Sequence, residues 1–188
     1  SSALQSIFAQ GFMIGLGSRS MFSRATQDCA NKFAVSREMY GFPFTLPFPD
    51  VTRTRCLIVV GANPVVSKWS FLQVPNPTQH LREITARGGS VWVVDPGKTE
   101  TAKATGRHVF IPPDTDVFFF LSFLHELLEL DRRGERRIDR SRVDRFMTGF
   151  DRVAELARAW PAERTAEVTR VPAERLRQMV RDLATAES

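Results

Sequence analysis

Carboxylates, an amide, hydroxyls and a lysine collect in three short turns of this chain: Gly61-Ala62-Asn63-Pro64, Asp95-Pro96-Gly97-Lys98-Thr99 and Pro112-Pro113-Asp114-Thr115-Asp116. The chemistry open to them is polar recognition of a ligand. A carboxylate fixed by Pro96 just past an apolar run, Asp95, is suited to accept hydrogen bonds from a ribose or a guanine edge. Lys98 and Lys103 can meet phosphate nearby, and Thr99 and Thr101 offer hydroxyls. Gly61 lets the backbone turn sharply, and the Asn63 amide can address a base or a backbone group. In the third turn one carboxylate serves as a helix cap and leaves the other for a ligand donor. Simpler readings stand beside these: an ordinary strand-end turn at Gly61, a purely local cap by Asp95, and solvated lysines. Spacing alone leaves both sets open.

Other chemistries find no support in the motifs. No Gly-x-Gly-x-x-Gly fingerprint or Walker A loop occurs, which argues against nicotinamide and P-loop nucleotide sites. His80, His108 and His125 have no ligand partners at metal-binding spacing, so a protein-only zinc centre is not expected. A Gly-x-Ser-x-Gly elbow is likewise absent. The formal charge of +5 is modest, and its arginines lie among acidic residues in the C-terminal third. That balance suits a solvated helical surface, and without a stacking platform a nucleic-acid partner is not expected.

The two cysteines, Cys29 and Cys56, fit a reducing compartment better than a disulfide scaffold. No basic-then-apolar leader begins the chain, and the most apolar run, Val117 to Leu124, is too short to span a bilayer. Cytoplasm is the expected compartment, with the periplasm as the alternative because the chain starts Ser-Ser without methionine.

The elements that must position the turns follow an α/β alternation. Periodicity predicts helices over Ser2 to Met13, with Leu4, Ile7, Phe8 and Phe12 on one face, and over Cys29 to Tyr40, burying Phe33, Ala34 and Met39 and stopping at Gly41. Strand Cys56 to Val60 is continuous and apolar, as a sheet strand covered on both faces should be. A loop from Pro64 to Pro77 carries Trp69 and Phe71. Helix Gln79 to Arg87 follows, burying Leu81, Ile84 and Thr85, then strand Val91 to Val94, a short helix from Thr99 to Thr105 and a very short strand Val109 to Ile111. Next come a long apolar helix to Leu130, capped by Asp114 or Thr115, a charged turn from Asp131 to Ser141, and three helices: Arg142 to Met147, Phe150 to Trp160 and Ala173 to Ala184. The expected fold is one three-layer, Rossmann-like α/β domain over 1–188, with a mainly parallel sheet and a helical C-terminal part from about 142 to 188.

In this order and spacing the motifs resemble the molybdopterin oxidoreductases, the group that includes formate dehydrogenases, nitrate reductases and dimethyl sulfoxide reductase. The resemblance runs nearly end to end. It rests on Leu57 to Pro64, on Gly88-Gly89 through Asp95-Pro96 with Thr99 to Ala102, and on Ile111 to Asp116. Weaker matches lie at Thr148 to Asp151, at Pro161 and at Val171 to Glu174.

The resemblance implies a region of a larger catalytic subunit, formate-dehydrogenase-like, wrapped around part of a bis-molybdopterin guanine dinucleotide that carries molybdenum or tungsten. It implies that Gly61, Ala62 and Asn63 border the dinucleotide, that Asp95 meets its guanosine end, that Thr115 and Asp116 lie beside its nucleotide portion, and that Lys98 is a further contact. Cys29 falls where some relatives carry the cysteine or selenocysteine that ligates the metal; an inert core thiol is the other reading. A [4Fe-4S] cluster, the remainder of the subunit and electron-transfer subunits are expected outside these residues, so activity belongs to the full-length enzyme and not to this fragment alone. Two departures from the family pattern, Gly97-Lys98 where arginines are common and Asp114 where glycine is usual, favour a rival reading as a non-catalytic binding or assembly module.

Overall fold

Five consecutive apolar residues with no charge and no proline, Cys56–Val60, form strand β1 at the predicted bounds. The computed structural model of the protein describes residues 3–22, 29–68, 72–105, 107–135 and 138–186; Trp69 and Phe71 lie outside them. The sequence predicts one domain over 1–188, whereas the structure falls into two compact units, Ser1–Pro47 and Phe48–Ser188.

The first unit holds helices α1 (Ala3–Gly15) and α2 (Ala30–Tyr40). α2 stops at Gly41, which adopts the left-handed conformation and donates its N–H to the Arg37 carbonyl. The predicted buried side of α2 is corrected: Ala34 and Met39 are exposed and Phe33 is half-buried. The buried residue is Ser36, whose hydroxyl donates to the carbonyls of Phe42 and Thr45 at 2.8 and 2.6 Å. On α1, Ile7, Phe8 and Phe12 are all exposed, while the Leu4 side chain lies outside the description.

The second unit carries the sheet. β1 is followed by α3 (Pro64–Ser67), α4 (Pro77–Ala86), β2 (Ser90–Val94), α5 (Glu100–Thr105), β3 (His108–Val109) and α6 (Asp116–Leu130). The strands pair in parallel in the order β1-β2-β3, with Cys56 opposite Ser90 and Val93 opposite His108. β3 begins one residue earlier than predicted and is only two residues long; Ile111, expected in it, is instead an unpaired residue buried in the core.

Alternation along the strands sorts the core into two faces. Val91, with Leu57 beside it, meets Leu81 and Ile84 of α4, and Val59 and Val93 meet Ala102 of α5. Leu81 and Ile84 are fully buried, each contributing about 1.5–3 kcal/mol. Thr85, predicted among them, is exposed. On the other face Ile58, Val60, Trp92 and Val94 meet Phe119 of α6 and Leu176, Met179 and Val180 of α10 (Ala173–Thr185). The result is helix, parallel sheet, helix, in agreement with the predicted three layers.

The charged segment after α6 is a tight turn, Asp131–Glu135, with Gly134 at φ 88°. Four helices follow where three were expected: α7 (Arg140–Phe146), α8 (Phe150–Arg158), α9 (Ala162–Thr169) and α10. Pro161 and Pro172 occupy the positions just before α9 and α10, where a missing N–H costs nothing.

Candidate functional site

The first two turns are joined at the carboxyl edge of the sheet. Gly61 leaves β1 at φ 59°, a conformation that suits glycine, and extends the ladder by donating its N–H to Val94 O at 2.9 Å. A Cβ built on Gly61 would meet open space, so its backbone faces outward unobstructed. Two residues on, Asn63 turns inward. Its Oδ1 accepts from Thr101 Oγ1 at 2.7 Å and from Thr101 N at 3.3 Å, and its Nδ2 donates to Glu100 Oε2 at 2.8 Å. The bond from Asn63 is the main reason the Glu100 carboxyl lies below its ordinary range. Both ends of the amide therefore have protein partners, and Asn63 works as a brace between the β1 turn and the start of α5.

Asp95 is half-buried at the end of β2. Its N–H donates to Val109 O at 3.1 Å, its carbonyl lies 3.0 Å from His108 Nε2, and its Oδ1 accepts from Gly97 N at 2.8 Å. The local turn bond is thus present, while Oδ2 has no hydrogen-bond partner among the described residues. Lys98 and Lys103 are exposed beside this turn.

The third turn caps α6 without a carboxylate. Thr115 holds the N-cap position and its main-chain carbonyl accepts the first helical bonds, but its hydroxyl donates back to Pro112 O at 2.8 Å and makes no cap bond. The expectation that Asp114 or Thr115 caps the helix through its side chain is corrected on this point. Asp114 and Asp116 are both exposed. Asp114 sits at φ 64°, so the left-handed conformation that a glycine would supply is met here by an aspartate. No hydrogen bond among the described residues ties Thr115 or Asp116 to the other two turns.

Cys29 lies in the first unit, half-buried at the head of α2, and its carbonyl accepts from Phe33 N. Cys56 is a core thiol whose Sγ accepts from Ser90 Oγ at 3.6 Å, and burial pushes its pKa up. Among the described residues no group of three or more His, Cys, Asp or Glu side chains is arranged to hold a metal. His125 contacts the carbonyl of Ala157 and His80 lies against Glu83.

One multiply bonded carboxylate was not among the sequence candidates. Asp182, near the end of α10, accepts from Trp92 Nε1 at 2.9 Å, from Arg107 at 3.0 Å and from Gln178 at 2.7 Å. Arg107 also stacks 5.2 Å above the Trp92 ring. Burial pushes the Asp182 pKa up, but these hydrogen bonds and the Arg107 charge outweigh it and hold the carboxyl low. The cluster fastens α10 to the amino edge of the sheet, away from the three turns. Its only sequence signal is a tryptophan inside an otherwise aliphatic strand, whose indole N–H needs an acceptor when buried.

A cavity of about 600 Å³ lies between α6, α7 and α8, lined by His125, Glu129, Asp131, Arg140 and Arg158 among others. Four of its charges form two pairs, Arg132 with Glu129 and Arg140 with Asp131. Near it Arg177 bridges Glu126 at 3.2 Å and Glu163 at 2.6 Å, joining α6, α9 and α10.

No family model matches the sequence. Acetylene hydratase of Syntrophotalea acetylenica is 24% identical over 93% of this chain and 22% of its own length. Assimilatory nitrate reductase of Haloferax mediterranei is 29% identical over 74% of this chain and 18% of its own, and formate dehydrogenase H of Escherichia coli is 24% identical over 74% and 18%. Among solved structures, acetylene hydratase from Pelobacter acetylenicus superposes with a TM-score of 0.68 at 24% identity, covering 90% of this chain and 22% of that one, which establishes the shared fold. The chain spans about a fifth of the length of the curated relatives it matches. Fold, turns and relatives agree: over most of its length the chain is similar to a part of molybdopterin oxidoreductases.

Proposed function

We propose that the chain is the Rossmann-like part of the catalytic subunit of a formate-dehydrogenase-like molybdenum or tungsten enzyme, and that its carboxyl edge lies against the guanine dinucleotide of a bis-molybdopterin cofactor. The observation that carries this reading is the pair of outward-facing groups at the joined turns. Gly61 leaves its backbone unobstructed, and Asp95 keeps one carboxylate oxygen without a partner among the described residues, beside exposed Lys98. A guanosine offers N–H and O–H donors that a carboxylate accepts, and a diphosphate offers an anion for the ammonium.

The residues present fit that group with a division of labour. Gly61, Ala62 and Asp95 supply surface and acceptor, and exposed Asp116 adds a carboxylate beside the nucleotide. Asn63 and Thr115 act through position: their side chains are bonded within the protein and fix the two turns. Cys29 supplies a thiolate to the metal, a soft ligand appropriate to it. The bound cofactor supplies two-electron redox chemistry, while the protein supplies binding and orientation. Two formate dehydrogenases among the relatives support the subtype. The [4Fe-4S] cluster, the rest of the subunit and any electron-transfer subunits are assigned to other parts of the enzyme. No described helix is long and apolar enough to cross a membrane, and the proposed compartment is the cytoplasm.

Metal analysis of the full-length protein, with release of oxidised pterin and guanine nucleotide, tests the reading. Molybdenum or tungsten together with both organic products is expected. A full-length protein that lacks metal, pterin and guanine nucleotide would sink it and leave the non-catalytic module.

A further inference from the structure

The two edges of the sheet are unlike. β3 is two residues long and is followed by Pro112-Pro113, the kind of edge that resists pairing. β1 on the other edge runs for five residues, carries no charge, proline or bulge, and pairs only with β2 among the described residues. Arg55 O accepts from Ser90 N, and Gly61 N donates to Val94 O. The odd-numbered residues of β1 therefore face β2, and the backbone groups of Ile58 and Val60 face outward. Both residues are half-buried, where unpaired backbone groups are costly.

Helix placement says which way the sheet continues. α4 and α5, which link β1 to β2 and β2 to β3, pack against one another on one face. Continuing in that direction with right-handed crossovers would keep adding helices to the same face. α6 and α10 instead cover the opposite face, α10 lies against β1, and its end at Asp182 and Thr185 sits beside Arg55 and Ser90 at the amino edge. A right-handed connection made through that second face leads back past β2 to the outer side of β1.

We infer that the outer edge of β1 is the docking edge for a fourth strand, parallel to β1 and supplied by the remainder of the same polypeptide. The relatives are about four times as long as this chain, so the larger protein has ample sequence to supply it. The strand order then reverses at β1, and the turn Gly61 to Pro64 stands where the winding changes direction. Open α/β sheets form their ligand crevices at such points. On the cofactor reading above, this strand supplies the second wall of the crevice that Gly61 borders.

An electron cryo-microscopy or crystal structure of the full-length protein tests the inference directly. A parallel strand of the same chain is expected about 4.8 Å from β1. Solvent, a helix, an antiparallel strand or a strand of a second copy at that edge overturns it. Residue-resolved amide exchange on the same protein gives a second reading: Ile58 and Val60 should exchange within about tenfold of the rates of Leu57 and Val59. Rapid exchange at Ile58 and Val60 alone, or protection that vanishes on dilution, counts against the inference. A cofactor-loaded protein with an open β1 edge fails this inference alone, whereas a paired edge in a pterin-free protein fails only the functional reading.

Discussion

Asn63 and Thr101 are joined side chain to side chain at 2.7 Å, across 38 positions of sequence, and the same asparagine holds Glu100. The turn after β1 and the first turn of α5 therefore move as one piece. Asn63→Ala removes an acceptor and a donor and leaves the buried Thr101 hydroxyl without its closest acceptor, a loss of about 1–3 kcal/mol. A lower urea midpoint of the full-length protein is expected. An unchanged midpoint with lost guanine nucleotide would show instead that the amide serves the ligand directly.

Gly89 sits where the chain enters β2, and a Cβ there would lie 2.5 Å from Arg55 O and 2.9 Å from Ile84 O. Both obstacles are backbone, so neither can swing away. Gly89→Ala should cost about 1–3 kcal/mol, read as a lower denaturation midpoint. Gly97→Ala is the control, since its nearest neighbour, Asp95 Oδ1, is an ordinary 3.7 Å away. Equal midpoints for the two variants would refute the crowding argument.

Legibility in the sequence followed the size and polarity of what each element buries. β1 is a run of apolar residues, and α6 combines a polar start with a long apolar stretch; both were readable to within a residue. α9 was invisible because it buries Ala162, Thr165 and Thr169, which make no apolar stripe. The Thr169 hydroxyl satisfies itself on the Thr165 carbonyl, an arrangement that periodicity does not announce. On α1 the spacing of Ile7, Phe8 and Phe12 marked an apolar face but carried no information about what covers it. At the site, the sequence located the three turns but not the direction of their side chains. Asn63 read as a ligand contact because its partners, Glu100 and Thr101, are distant in sequence.

Asp182 gives the fold a pH dependence whose sign is fixed. Its carboxyl is held below the ordinary value of 3.8, so its contribution is full above that value and is lost as pH falls through the lower folded one. Asp182→Asn should lower stability at neutral pH, because an amide offers no charge to Arg107. It should also flatten the fall in stability below about pH 4, so that the two curves converge in acid. Urea unfolding across this range checks both, and parallel curves would deny Asp182 the role.

Cys29 is tested at the metal. In full-length Cys29→Ser, X-ray absorption at the molybdenum or tungsten edge should lose one sulfur neighbour while pterin content is kept, and metal-centred turnover should collapse. An unchanged sulfur shell with unchanged turnover would return Cys29 to the status of a half-buried thiol at a helix start.

Asp95 separates the turn from the ligand because its two oxygens have different duties. Oδ1 holds the Gly97 N–H, and Oδ2 has no hydrogen-bond partner among the described residues. Asp95→Asn keeps an acceptor for Gly97 while removing the charge and the second acceptor, so the turn should survive and guanine-nucleotide retention should fall. A charge-assisted bond of about 1.5–3 kcal/mol corresponds to roughly a tenfold to hundredfold loss of affinity. Asp95→Ala should lose both the turn bond and the retention, adding a drop in denaturation midpoint that Asp95→Asn lacks. Normal nucleotide content in both variants would confine Asp95 to its local turn and remove the guanosine contact from the functional reading.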